Sequence, residues 1–209
     1  MNEAQQIIYV VDDDDAMRDS MTWLLEGEGF PVACFPSGES FLAARHDDMH
    51  GCLVLDVRMP EMSGLELHEK LDALGSPLPI IFVTGHGDVP MAVSALQRGA
   101  CDFIEKPFHN EDLLNRIRRA LELEQQLSSR RQQHEAINHR IDQLTQRERE
   151  VMELVVAGKL NKQIADTLAI SMKTVEAHRA RVMDKMAVRT LAELVTAVMS
   201  LQSTPRDAQ

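Results

Sequence analysis

Five short apolar runs recur through the first 123 positions, each followed by a stretch of helical spacing, and this alternation limits the fold more than any other feature. Ile7–Val11 is the first run and ends in four acids, Asp12, Asp13, Asp14 and Asp15. Met17, Met21, Trp23, Leu24 and Leu25 then recur with helical spacing until Gly27 and Gly29. Residues 32–35 predict a second strand, and Ser37 is placed to cap a helix through Ala44. A third strand over 52–55 ends at Asp56; after a turn containing Pro60 and Gly64, residues 65–74 read as helix. A fourth strand over 80–84 precedes a helix over 89–98. Phe103 and Ile104 mark a fifth strand ending at Lys106-Pro107, and Asn110 caps a helix through Leu113, Leu114, Ile117 and Leu121. Such alternation predicts an α/β, doubly wound, five-stranded parallel sheet covered on both faces.

Sheets of this kind bind ligands at the carboxyl ends of their strands. The polar residues fall there: Asp12 and Asp13 after the first strand, Asp56 after the third, Thr84 after the fourth and Lys106 after the fifth. Turn chemistry accounts for an Asp or a Thr, but not for three acids, a hydroxyl and a lysine facing one crevice. Facing carboxylates suit Mg2+, which keeps several waters and takes few protein ligands. Beside the metal, Asp56 becomes a nucleophile toward a phosphoryl group, with Lys106 as cation and Thr84 as hydroxyl for the transferring oxygens. Without metal the carboxylates repel one another, which raises at least one pKa. The plainer role for Lys106 is an ordinary ion pair with an Asp, and its place before Pro107 argues against that. A Lys-Pro bond can be cis at modest cost.

The segments VVDDDD, VLDVRMPEMSG, PIIFVTGHGDVPMAV and GACDFIEKPF resemble the receiver domain of bacterial two-component response regulators, the FixJ group in particular. The resemblance covers residues 5–123 and implies a flavodoxin-like receiver fold. It implies that a phosphohistidine on a sensor histidine kinase donates the phosphoryl group to Asp56. It further implies that Asp13, Asp56 and the main-chain carbonyl of Arg58 ligate Mg2+, with Asp12 acting through water. A switch follows from the same resemblance: Thr84 moves toward the phosphoryl oxygens and Phe103 rotates inward behind it. That motion biases a surface formed by the helix over 89–98, the fifth strand and the helix from Asn110. Phe103 lacks the hydroxyl of a Tyr, so its outward state loses a hydrogen bond. Arg58 and His86 flank the site and are candidates for setting the phosphate lifetime.

Residues 124–143 contain neither Pro nor Gly and continue a helical composition. Positions 123, 127, 130, 134, 137, 141 and 144 follow steps of four and three, a seam interrupted by Arg130 and His134. It reads either as a solvated connecting helix or as a dimerising coiled coil. The chain thus divides into a phospho-acceptor receiver over 1–123, a helical linker over 124–143 and an all-α helix-turn-helix domain over 144–209.

In that last part Thr145 and Glu148 form a capping box, with Val151, Leu154 and Val155 as the stripe of a first helix ended by Gly158. Asn161 opens a short helix, Ser171 caps a third carrying Val175, Val182, Met183 and Met186, and Thr190 opens a fourth. A short helix, a tight turn and a longer basic helix are the layout of a helix-turn-helix. TQREREVMELVVAGKLNKQIA and ISMKTVEAHRARVMDKM resemble the LuxR-type, or NarL/FixJ-type, DNA-binding domain over residues 144–200. The resemblance implies that the helix from Ser171 to Lys185 enters the major groove of double-stranded DNA. Lys162, Thr174, Arg179 and Lys185 then contact phosphates, while Glu176, Ala177 and Arg181 lie nearer the base edges, with His178 in the same set. Glu176 departs from relatives carrying lysine there, and a carboxylate can accept from cytosine.

Charge sharpens this reading. The chain carries a net −11, but residues 1–123 hold 22 acids against 9 bases, residues 124–143 three of each, and residues 144–209 eight acids against ten bases. A net of +2 is small for a module that must neutralise phosphates, which favours a homodimer formed on phosphorylation. The expected protein is a transcription regulator rather than an enzyme, with RNA polymerase as a further candidate partner. The chief rival is a magnesium phosphatase turning over through an aspartyl-phosphate; Val57 and Arg58 after Asp56 supply no second carboxylate for it. Another is a phosphorylated interaction protein that never meets DNA. Cys34, Cys52 and Cys101 lack metal-type spacing. The first residues do not read as a signal peptide, and no apolar run approaches the roughly 20 residues that cross a bilayer. The expected compartment is the cytoplasm, with no membrane partner.

Overall fold

The computed structural model describes residues 5–85, 96 and 99–202, which fall into two compact units, Met1–Ser128 and Ser129–Gln209. The first unit holds strands β1 (Ile7–Val11), β2 (Val32–Phe35), β3 (Gly51–Asp56), β4 (Ile80–Thr84) and β5 (Asp102–Glu105). They pair in parallel in the order β2-β1-β3-β4-β5. Successive side chains point to opposite faces, so each strand feeds two cores. Ile8, Val10, Cys52, Val54, Ile81 and Val83 meet Met21 and Leu25 of α1 (Asp15–Gly27) and Leu113 and Ile117 of α4 (Asn110–Asp142). Tyr9, Val11, Leu53, Leu55 and Phe82 meet Phe41 of α2 (Gly38–Ala44) and Leu67 and Leu71 of α3 (Gly64–Ala73). Each such side chain contributes about 1.5–3 kcal/mol when fully buried.

Local signals set the helix starts. Asp14 caps α1, accepting from the Ala16 and Met17 amides, while Ser37 with Ser40 and Ser63 with Glu66 form capping boxes. Trp23 corrects the expected stripe of α1: it is 80% exposed, because it lies two residues from both Met21 and Leu25 and so points away from the sheet. The helix expected over 89–98 lies outside the described residues, Leu96 excepted, as does His86. The Lys106–Pro107 peptide bond is cis.

The connecting segment is not a separate element, since α4 continues through it without a break. Its seam is divided in use. Leu123 and Leu127 are 39% and 37% exposed, whereas Ile137 and Ile141 pack against the core of the second unit. The later half of the seam therefore packs into the core of the second unit rather than standing free.

The second unit contains α5 (Gln146–Val156), α6 (Asn161–Leu168), α7 (Met172–Lys185) and α8 (Leu191–Gln202). Val151, Met152, Val155, Ile164, Val175, Val182, Met186 and Leu194 form its core. Thr145 and Glu148 close the capping box of α5, and Ser171 accepts from the Thr174 amide at the start of α7. Ala169, with φ of 53°, makes the left-handed corner that ends α6.

Candidate functional site

The parallel strands end together, so their last residues line one crevice. Asp12 follows β1 and is held from both sides: its Oδ1 accepts from the Asp14 amide at 2.9 Å and its carbonyl from Arg18 at 2.6 Å. Arg18 also pairs with Asp15. Asp56 ends β3, where the fold depends on a missing side chain: a Cβ on Gly64 would sit 2.1 Å from the Asp56 carbonyl oxygen. Only glycine lets α3 begin that close to the end of β3. Thr84 ends β4 and donates to the Gly85 carbonyl at 3.2 Å. Lys106 is joined to it through its own amide, which donates to the Thr84 carbonyl at 2.7 Å.

These residues converge. The Lys106 ammonium donates to Asp12 Oδ2 at 3.0 Å and to Asp56 Oδ1 at 3.1 Å. Asp12, Asp56 and Thr84 are buried and Asp13 is exposed at the mouth. Burial raises the Asp56 pKa; the Lys106 charge opposes this, while Asp12 and Asp13 add to it. Burial works to lower Lys106, but its bonds and charge pairing with Asp12 and Asp56 prevail and leave its pKa above the ordinary value. Asp12, Asp13 and Asp56 each offer an oxygen within 4.8 Å of one another. Among the described residues Lys106 alone donates an ammonium to these carboxylates, which leaves a deficit of positive charge, and an all-oxygen donor set of this kind fits a hard divalent cation. Arg58 is exposed beside the crevice. Phe103 is partly buried against the cluster that holds Tyr9 and Phe82, and its amide donates to Asp102 Oδ1 at 2.8 Å.

In the second unit, burial of Val175, Val182 and Met186 decides which face of α7 is free. Lys173, Glu176, Ala177, Ala180, Arg181 and Asp184 recur at steps of three and one and are all exposed, so they form one face. The burial pattern adds Lys173, Ala180 and Asp184 to the residues that the sequence places on this face. Lys162 and Thr174 are exposed too, with Thr174 Oγ1 2.8 Å from Ser171 Oγ. Two residues expected at DNA have inward partners. Arg179 donates to Asn161 Oδ1 at 2.6 Å, bracing α7 against α6. Lys185 donates to Glu148 Oε2 at 2.7 Å and to the Gln143 carbonyl at 3.1 Å. Its charge is thereby engaged within the unit, which argues against the phosphate contact expected of it. His178 is half-buried, and its Nδ1 has no hydrogen-bond partner among the described residues.

Comparison with known proteins agrees with both halves. The family described as response regulator receiver domain matches residues 8–118, and that described as bacterial regulatory proteins, luxR family, matches residues 142–198. The chain is 46% identical to the response regulator protein TmoT of Ectopseudomonas mendocina, over 93% of this chain and 89% of that one. It is 45% identical to the transcriptional regulatory protein FixJ of Bradyrhizobium diazoefficiens, over 92% and 94%. Among solved structures, the response regulator StyR matches with a TM-score of 0.84 at 43% identity, covering 94% of this chain and 99% of that one.

Proposed function

We propose that this chain, which belongs to the response regulators joining a receiver domain to a LuxR-type DNA-binding domain, accepts a phosphoryl group on Asp56 and reads DNA with the exposed face of α7. It is a phosphorylation-dependent transcription regulator of a two-component system. Its receiver domain implies a sensor histidine kinase as partner, and its helix-turn-helix implies DNA. No described helix is long and apolar enough to cross a membrane. Since both the DNA and the phosphoryl donor must reach it, the cytoplasm is its place of action.

One observation carries the assignment of Asp56: the Lys106 ammonium lies between its carboxylate and that of Asp12. An Asp56 oxygen forms its bond to phosphorus as the bond from phosphorus to the donor's imidazole nitrogen breaks. Asp13 and Asp56, with the Arg58 carbonyl, are the groups that would hold Mg2+, and Asp12 would act through water. When bound, the ion supplies positive charge to the transferring oxygens. Lys106 donates to a phosphoryl oxygen close to its present position, and Thr84 turns its hydroxyl from Gly85 toward another. Phe103 fills the space behind Thr84, so a local change of charge becomes a change of surface.

Lys162, Thr174 and Arg179 contact phosphates, and Glu176, Ala177 and Arg181 face the base edges. A second copy supplies the contacts that a net of +2 lacks, so the phosphorylated form acts as a homodimer, with RNA polymerase as a candidate partner on the promoter. Acetyl phosphate should label the chain about once, and Asp56→Asn not at all; repeated turnover would mark an enzyme instead. Sedimentation of the labelled protein at micromolar concentration should show dimers, and a persistent monomer contradicts that part of the reading.

A further inference from the structure

Glu124 is a buried acid far from the chemistry of the crevice. It lies on α4, 2% exposed, against the starts of β1 and β3. Its Oε2 accepts from Gln6 Nε2 at 2.7 Å, and its Oε1 lies 3.0 Å from His50 Nδ1. Gln6 Nε2 donates also to the Leu121 carbonyl at 2.9 Å, and the Ile7 amide to the His50 carbonyl at 2.9 Å. The carboxylate, two strand starts and a helix turn are therefore one hydrogen-bonded cluster. Its charge is felt inside the unit, where it adds to burial in raising the pKa of Tyr9.

The strands involved are those that lead to the site. β1 runs from beside Gln6 to Asp12, and every residue of β3, from Gly51 to Asp56, is buried. The two strands that carry the acids of the crevice thus begin beside Glu124. An apolar side chain would pack α4 here without the cost of desolvating a carboxylate. What a buried polar group adds is register, because only one placement of the helix brings Glu124 beneath both donors. Four residues later the first unit ends, and α4 goes on to give Ile137 and Ile141 to the second core.

We infer that the Glu124–Gln6–His50 cluster is a positioning device: it fixes the register of α4 where the helix leaves the receiver, and phosphorylation of Asp56 alters DNA binding only while that register holds. This rests on the regulator reading above and adds the place where the signal enters the helix. The test uses the full chain carrying Glu124→Leu, a variant that keeps the helix packed. Its affinity for DNA fragments selected with the phosphorylated wild type is measured with and without acetyl phosphate. Couplings between sites correspond to roughly 5- to 150-fold changes in affinity, and the wild-type ratio should lie in that range. The leucine variant should be labelled on Asp56 as fully as the wild type while its ratio falls to about one. His50→Ala removes the ring partner and leaves the helix sequence untouched; it should lower the ratio as well. A wild-type ratio in the fully labelled leucine variant, or in the alanine variant should the first fail to fold, overturns the inference. A ratio of about one in the wild type would instead overturn the regulator reading on which it stands.

Discussion

Lys106 and Lys185 make the same kind of contact in the two units, yet the acids beneath them respond in opposite directions. Lys106 donates to Asp56 at 3.1 Å, and Lys185 to Glu148 at 2.7 Å. Asp56 stands above its ordinary pKa because burial dominates and Lys106 is shared with Asp12 beside a third acid, Asp13. Glu148 is held down to about 2, first by the hydrogen bond from Lys185 and next by the Thr145 amide. A salt bridge is thus defined by what competes for its cation. The crevice is short of positive charge and is prepared to take more; the pair in the DNA-binding unit is complete and holds helices together.

The comparison breaks most visibly at Asp56. Asp56→Asn should abolish incorporation of the phosphoryl group altogether while leaving the receiver folded, with a melting temperature equal to or above the wild type's. Glu148→Ala should do the reverse, leaving labelling intact. It breaks a pair whose lysine is one-third exposed, so the expected cost is about 2–3 kcal/mol, read from urea unfolding of the second unit. A loss below about 0.5 kcal/mol would mean that the pair is ornamental.

The same contrast predicts a sign in pH. Glu148, depressed when folded, adds stability that is complete above its ordinary value of 4.5 and disappears as pH falls toward about 2. Asp56, raised when folded, contributes stability below its ordinary value of 3.8 and loses it as pH rises through the elevated one. Unfolding midpoints of Glu148→Gln should therefore flatten at the acid end, and those of Asp56→Asn should flatten just above it. On DNA, Lys162→Ala should reduce the dependence of log affinity on log salt by about one phosphate contact, and Lys185→Ala should leave that slope unchanged. A changed slope in the second variant would restore Lys185 as a phosphate ligand. Trp23→Ala should be the quietest substitution, within about 0.5 kcal/mol of the wild type, since a surface side chain 80% exposed gives up little packing.

How far these regions were legible in the sequence follows from the reach of each signal. The strands are readable because a parallel sheet covered on both faces demands continuous apolar runs, and Asp12, Asp56, Thr84 and Lys106 are readable because strand ends mark one edge. The capping box at Thr145 and the cap at Ser171 are local and equally plain. What long-range packing decides is not readable. Glu124 sits in a polar stretch and looks solvated, yet Gln6 and His50, more than 70 positions away, bury it. The Leu123-to-Leu144 seam has the spacing of a coiled coil, but spacing does not say that Ile137 and Ile141 serve the second core. Lys185 looks like any basic residue on a recognition helix until Glu148, from another helix, takes its charge.

Whether a phosphoryl group on Asp56 raises affinity for DNA is tested most directly by one titration. Selected DNA is bound by the wild type and by Asp56→Asn, each with and without acetyl phosphate and Mg2+, at fixed salt. The wild type should bind more tightly once labelled, by roughly 5- to 150-fold, and the asparagine variant should bind alike in both conditions. Equal binding by labelled and unlabelled wild type, or an increase that survives in Asp56→Asn, would contradict it.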